Sequence, residues 1–418
     1  MTLLLGCVAD DFTGATDLAN NLVRQGMRVV QSIGVPDAAM AFIEDADAVV
    51  VALKSRTAPV AQAVAESLAA AHWLQAQGAP QLYFKVCSTF DSTPAGNIGP
   101  VAEALADAVA ADFAIVTPAF PEAGRTVYKG HLFVGDRLLS DSPMRQHPLT
   151  PMTDANLVRV LQAQLAASTC GLIEQRDVAQ GVAVVRERID TLRESGVRFA
   201  IADAISDADL RVLAQAAAGL RLVVAGSGLA IGVPALHGLA PSAEAARLAP
   251  ARGLRAIVSG SCSAATNGQV AAFIAGGGAA FAVDPLKASA DALAQSALAF
   301  ALPRLQQGPV LVYATAAPDA VRAVQSQLGA AEAGARVEHA LAQVAVGLVE
   351  AGVGQLLIAG GETSGACVQA LGITRLRIGP QIDPGVPWCH AAERDLHLAL
   401  KSGNFGRVGF FTRAFEQL

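Results

Sequence analysis

The chain has 418 residues and a formal net charge of −6. A single hydrophobic core stops growing at about 250–300 residues, so the length calls for two domains. The acidic balance argues against a nucleic-acid partner, and no run of about 18 strongly apolar residues offers a membrane span.

Residues 3–5 form a short apolar run that reads as a buried first strand. The segment Cys7-Val8-Ala9-Asp10-Asp11-Phe12-Thr13-Gly14-Ala15-Thr16-Asp17 follows it, and a helix-like stretch covers 18–23. Carboxylates at the C-terminal end of a strand lie where open α/β sheets bind ligands. The acids Asp10, Asp11 and Asp17 with two threonines suit a polyol, a cation or a transferable proton. The next strand, 48–53, ends in Lys54 and Arg56, and an arginine can hold a carboxylate bidentately. After a helix at 61–77, the strand 82–86 carries Lys85 at its end. Ser88, Thr89, Asp91, Ser92 and Thr93 then make an oxygen-rich loop before a helix at 101–110.

A strand at 113–117 precedes an irregular segment, 119–153, rich in Pro, Gly, Arg and His. It carries Arg125, Lys129, His131, Arg145 and His147, and long irregular segments in compact domains are usually functional. His147 opens a stiff stretch, His147-Pro148-Leu149-Thr150-Pro151. Helices at 156–165, 181–195 and 208–218 and strands at 199–202 and 221–225 complete a βαβ series. That rhythm predicts a mainly parallel sheet flanked by helices.

Residues 237–252 read as a joint, which divides the chain into domains 1–240 and 250–418 with a linker at 241–249. A second series has strands at 255–259, 280–283, 310–314, 355–359, 375–378 and 396–401. The fold class is therefore α/β, two α/β domains with mainly parallel sheets flanked by helices. The strand 255–259 runs into Gly260-Ser261-Cys262-Ser263 and a helix to about residue 275. Small residues at such a turn free backbone N–H groups for an anion at a helix N-terminus. The design recurs at Gly360-Gly361-Glu362-Thr363, and Gly403 ends the last strand. Glu362 fits beside phosphate if a magnesium ion, a ribose or a water intervenes. No Walker A or dinucleotide fingerprint is present, and Asp10-Asp11 at the first turn would repel the pyrophosphate of a dehydrogenase cofactor. The six cysteines are scattered with no CxxC pair, which excludes a zinc ribbon and a disulfide framework and points to reduced, cytoplasmic thiols.

The motifs ADDFTGATD, KVCSTFDSTPAGNIGP, PAFPEAGR, HPLTPM, SGSCSAAT, GGETSGA, PGVPWC and LALKSGNFG occur here in that order. Over residues 6 to about 410 the chain closely resembles the four-carbon acid sugar kinases, and among them the branch acting on 3-oxo-tetronates. The resemblance implies a cytoplasmic phosphotransferase that moves a phosphoryl group from ATP, with Mg²⁺, to the C4 hydroxyl of a 3-oxo-tetronate. A non-oxidised tetronate such as threonate or erythronate stays open as the acceptor, as does an assembly of identical chains. By motif, Asp10, Asp11 and Lys85 would be catalytic, with Asp11 the favoured base. Arg56, Ser88, Thr89, Asp91, Arg125 and His147 would bind the sugar acid, and Ser259, Gly360, Gly361, Glu362, Thr363 and Gly403 the nucleotide. No dedicated protein metal site is expected, and Asp17 is expected to complement a helix dipole. Closure across the 237–252 joint would exclude water. Many kinases of the family have an acid two residues after the lysine. Here Cys87 stands there, which leaves open whether Asp91 replaces it.

Overall fold

The computed structural model describes residues 3–37, 45–147 and 150–418. Two compact units are present, Met1–Ala246 and Arg247–Leu418.

The strands of the first unit are β1 (Leu5–Ala9), β2 (Val29–Ile33), β3 (Ala48–Ala52), β4 (Leu82–Lys85), β5 (Ala114–Thr117), β6 (Arg125–Tyr128), β7 (His131–Val134), β8 (Arg137–Leu138), β9 (Cys170–Ile173), β10 (Phe199–Ala202) and β11 (Leu222–Ala225). Eight of them form a parallel sheet in the order β2-β3-β1-β4-β11-β5-β10-β9. Strands β1, β3, β4, β5, β10 and β11 are buried at every position. Parallel strands covered on both faces read as continuous apolar runs, and these were legible for that reason, except that the first strand, read at 3–5, runs Leu5–Ala9. From β1 the chain builds β2 and β3 on one side, then crosses to β4 on the other. The reversal puts the ends of β3, β1 and β4 side by side, the place where open sheets bind ligands.

Three features differ from the sequence reading. Residues 119–153 are not wholly irregular: β6, β7 and β8 form a small antiparallel sheet. Its strands have two to four residues and are linked by turns at Lys129, Gly130 and Gly135 with positive φ, so the alternation is too short to register. Strands β2 and β9 were not anticipated. Gln31 and Ser32 interrupt the apolar run of β2, and β9 is only half-buried over its first three residues. Asp17 is not a dipole-complementing acid near the start of a helix. It lies mid-way along the helix Phe12–Arg24 and is buried.

The second unit contains β12 (Leu254–Ser259), β13 (Ala279–Ala282), β14 (Val310–Tyr313), β15 (Val353–Ala359), β16 (Arg375–Asp383), β17 (Val386–Ala391) and β18 (Leu396–Lys401). Strands β13-β14-β12-β15-β18 are parallel, and β17 and β16 continue antiparallel. β17 escaped the sequence reading because Pro387 lies within it. That proline falls at a register shift opposite Gln381, where a missing N–H does least harm. Helices Ala264–Ala275, Ala290–Ala301, Pro318–Leu328, Ala330–Glu350 and Gly361–Ala370 flank this sheet. Its core gathers Ile257, Phe273, Leu311, Leu357, Trp388, Phe410 and Phe411, and the Trp388 indole donates to Ala414 O at 2.9 Å. Among the described residues no helix is long and apolar enough to cross a membrane.

Candidate active site

At the end of β1, Asp11 caps the helix Phe12–Arg24 in extended conformation and accepts from Gly14 N at 3.1 Å and Thr13 Oγ1 at 2.9 Å. Arg56, just beyond β3, donates Nε to Asp10 Oδ2 at 2.9 Å and Nη2 to Asp10 Oδ1 at 2.8 Å. The same Nη2 reaches Asp11 Oδ1 at 2.5 Å. One guanidinium thus clamps two consecutive carboxylates, the geometry for which arginine's planar fork is suited. Lys85 faces Ala9 across the β1–β4 ladder, is 2 % exposed, and donates Nζ to Val86 O at 2.7 Å. The two acids differ electrostatically. Burial pushes Asp10 up against the pull of Arg56. Burial acts on Asp11 too, but Arg56, Lys85 and the bonds from Thr13 and Gly14 outweigh it and hold Asp11 below the usual carboxylate range. The Asp11 side chain is 25 % exposed and that of Asp10 6 %, so Asp11 is the acid a ligand could reach.

The loop after Lys85 folds onto this cluster. Asp91 accepts from Thr89 Oγ1 at 2.5 Å, and its Oδ2 lies 3.8 Å from Arg56 Nη1. Cys87 contacts Thr89 Oγ1 at 3.0 Å, and burial pushes its thiol up to about 11, so it carries no charge at neutral pH. Asp91 therefore supplies the carboxylate on this side of Arg56, and Cys87 does not. Ser88 is half-buried between them. Two amides not singled out by sequence support the arrangement. Asn97 Nδ2 donates to the carbonyls of Ser55, Arg56 and Ala58 at 2.7, 3.3 and 2.8 Å, and Gln164 Nε2 holds Ser92 Oγ and Thr93 O at 2.7 and 2.8 Å.

Asp17 accepts from Ser227 Oγ, and Asn21 Nδ2 holds Ser227 O at 2.9 Å. The Oδ1 of Asp17 is buried with no hydrogen-bond partner among the described residues. Burial raises Asp17 to about 6, opposed by Lys85, Ser227 and Arg125. Arg125 thus reaches the cluster through space, while its Nη1 donates to Ala123 O. His147 is not brought to the acids by any hydrogen bond. Its Nδ1 lies 3.1 Å from Thr150 N and 2.9 Å from Thr150 Oγ1, so its ring is held by Thr150. Pro148 and Leu149 of that stretch lie outside the described residues.

In the second unit three turns converge. Ser259, fully buried, shares a hydrogen bond with Thr315 Oγ1 at 2.7 Å. Gly260 N and Ser261 N donate to Ala359 O at 2.9 and 3.1 Å, and Gly360 N donates to Lys401 O at 2.8 Å. Gly360 has φ +127, and a Cβ there would sit 2.9 Å from Thr363 Oγ1. A Cβ on Gly403 would sit 2.7 Å from Ser261 Oγ. Glycine is favoured by conformation and contact at Gly360, and by the close approach of Ser261 at Gly403. The helix Gly361–Ala370 begins at this turn, and its N-terminus receives no side-chain cap. That is a ready anion site. Beside it opens a cavity of about 600 Å³, bordered by Gly260, Glu362 and Thr363 and lined by Val283, Leu286 and Val324 among other small apolar residues. Mostly apolar walls with a few polar groups at one end are the usual form of a small-molecule pocket.

Two family models cover the chain: a sugar-binding N-terminal domain over residues 5–233 and a nucleotide-binding C-terminal domain over 256–411. A Pseudomonas fluorescens protein named 3-oxo-tetronate kinase is 57% identical over 420 residues, 99% of this chain and 97% of that one. The chain belongs to the four-carbon acid sugar kinase family. Proteins of the same name from Burkholderia multivorans and Haemophilus influenzae are 58% and 45% identical, covering 99% and 98% of this kinase and 97% and 99% of theirs. Among solved structures, a Salmonella typhimurium LT2 chain matches the kinase with TM-score 0.90 at 43% identity, covering 100% of both chains. A Haemophilus influenzae structure matches with TM-score 0.79 at 44% identity over 98% of this chain and 99% of that one.

Proposed function

We propose that this kinase transfers the γ-phosphoryl group of ATP to the C4 hydroxyl of a 3-oxo-tetronate. The observation that carries the reading is the near-full-length likeness to relatives named 3-oxo-tetronate kinase. The site geometry supplies the means. Phosphoryl transfer needs positioning and charge stabilisation more than covalent help. Asp11, ionised and the more open of the two acids, orients the acceptor hydroxyl and takes its proton. Arg56 holds Asp11 in place by clamping it together with Asp10. Lys85, on the neighbouring strand, offers a positive charge to the sugar carboxylate or to the migrating phosphoryl group.

The nucleotide phosphates would lie on the Gly360–Thr363 turn, with Ser259 and Gly403 beneath them and the base in the apolar cavity. Among the described residues no group of three His, Cys, Asp or Glu is placed to hold a metal ion. A magnesium ion carried in by the nucleotide would find Glu362 as a carboxylate in the phosphate turn. Magnesium binds in this manner at many kinase sites, through phosphates, water and one or two carboxylates, and when bound it neutralises phosphate charge.

An ADP-release assay over tetronates and 3-oxo-tetronates of both hands tests the assignment. Turnover confined to 3-oxo-tetronates supports it. Faster turnover of threonate or erythronate would move the acceptor to the non-oxidised acids.

A further inference from the structure

β18 is apolar at most positions but ends in Lys401, which is wholly buried. Its Nζ lies 2.9 Å from Thr266 Oγ1, 3.0 Å from Ser402 O, 3.0 Å from Gly403 O and 3.2 Å from Phe405 O. Four oxygens thus surround an ammonium with three protons. Among the described residues no carboxylate pairs with it. The helix Ala264–Ala275 and β15 bring no charged side chain to this end of the sheet. The helix Gly361–Ala370 brings Glu362 and Cys367, and β17 brings Cys389 and His390, the latter 3.2 Å from Asp395. β18 itself carries His397, bonded to Ala249 O. Arg407 and Arg413 face Asp383. Burial is the one cause that moves Lys401, down to about 7.

The cage turns the loop after β18 inside out. Gly403 O accepts from Lys401, Ser263 Oγ and Thr266 Oγ1, and the carbonyls of Phe405, Gly406 and Arg407 accept from Gln269 Nε2. With the carbonyls drawn inward, the N–H groups of Gly403 and Asn404 find no acceptor among the described residues. Consecutive unpaired N–H groups form an anion-binding concavity. A neutral amine would keep two protons and turn a lone pair towards carbonyl oxygen, so the loop needs the ammonium to hold this shape.

We propose that Lys401 is a positioning residue of the nucleotide site: its ammonium gathers the carbonyls of Ser402, Gly403 and Phe405 so that the Gly403–Asn404 backbone presents its N–H groups to a phosphate. The proposal rests on the nucleotide reading above. It makes nucleotide binding depend on the proton carried by Lys401. Lys401 is lowered when the site is empty, and an adjacent anion favours its charged form. Affinity is therefore full below about pH 7 and lost as pH rises.

Calorimetric titration of the full chain with ADP between pH 6.5 and 8.5 tests this. Wild type should bind roughly tenfold more weakly at pH 8.5 than at pH 7 if one proton is linked. It should also take up a fraction of a proton at pH 7, read from two buffers of different ionisation enthalpy. Lys401→Arg, charged throughout, should lose both the slope and the uptake, and Lys401→Met should bind weakly at every pH. Wild-type-like affinity and slope in Lys401→Met would overturn the role while leaving the kinase reading intact. If Lys401→Met does not fold, a slope retained in Lys401→Arg overturns it equally. Failure of wild type to bind ADP at all would instead remove the nucleotide reading and this proposal with it.

Discussion

Replacing Asp11 by Asn separates its chemistry from its structural task. Asp11 accepts from Gly14 N at 3.1 Å as the cap of the helix Phe12–Arg24, and Asn caps a helix about as well as Asp. The amide oxygen can still meet Arg56, so the fold should persist, with the thermal midpoint lowered by the loss of the charge beside Arg56 and Lys85. What disappears is the charge that takes the acceptor proton. Loss of a general base costs about a hundredfold or more in turnover, or about 3 kcal/mol of barrier. Asp11→Ala should lose the cap as well, at about 1 kcal/mol of stability. Steady-state kinetics with saturating ATP, beside thermal melts of the two variants, measure both effects. Because Asp11 is held below the ordinary carboxylate range, wild-type kcat/KM for the sugar acid should not fall through protonation of this group between pH 7 and 5. Near-wild-type turnover of Asp11→Asn would refute its role. An acid limb near pH 6 that persists when the titration of ATP is allowed for would transfer the role to Asp17, which is raised to about 6.

Three further outcomes are expected. Asp17 binds its proton more tightly folded than unfolded, so its contribution to stability rises as pH falls through about 6 and levels off below about 4. From pH 7 to pH 5 the gain is about 1 kcal/mol; urea midpoints should show it in wild type and not in Asp17→Asn, and equal slopes would contradict the burial argument. Gly360→Ala forces a side chain into φ +127 and against Thr363 Oγ1, and strain of about 1–3 kcal/mol should weaken ADP binding roughly tenfold or more, with unchanged affinity as the contrary result. Val324→Trp, which fills the apolar cavity, should raise KM for ATP several-fold and leave KM for the sugar acid alone; an unaltered KM for ATP would place the base elsewhere.

What the sequence disclosed follows from the physics of each element. Buried parallel strands such as Leu222–Ala225 announce themselves as unbroken apolar runs, and strand-end acids and glycines mark the ligand edge. Asp10, Asp11, Arg56, Lys85 and Asp91 come together as the ends of neighbouring strands require, although Arg56 and Asp10 are 46 positions apart. Pairing with such distant partners is invisible in a local pattern, which is why Asp17 was misread: its partner Ser227 is 210 positions away. Asn97 and Gln164 were missed because an amide that holds loop carbonyls looks like any polar loop or helix residue. Lys401 did leave a signal. It ends an apolar strand as Lys85 does, and a lysine in that position is costly unless its ammonium has oxygen partners.

The most direct measurement is the phosphorus spectrum of the product formed from ATP and a 3-oxo-tetronate. Phosphorylation at C4 predicts a new phosphorus resonance coupled to the two protons of a methylene group, appearing as ADP accumulates. A phosphorus coupled to the single proton of C2, or no new phosphoester with any tetronate, would contradict the assignment.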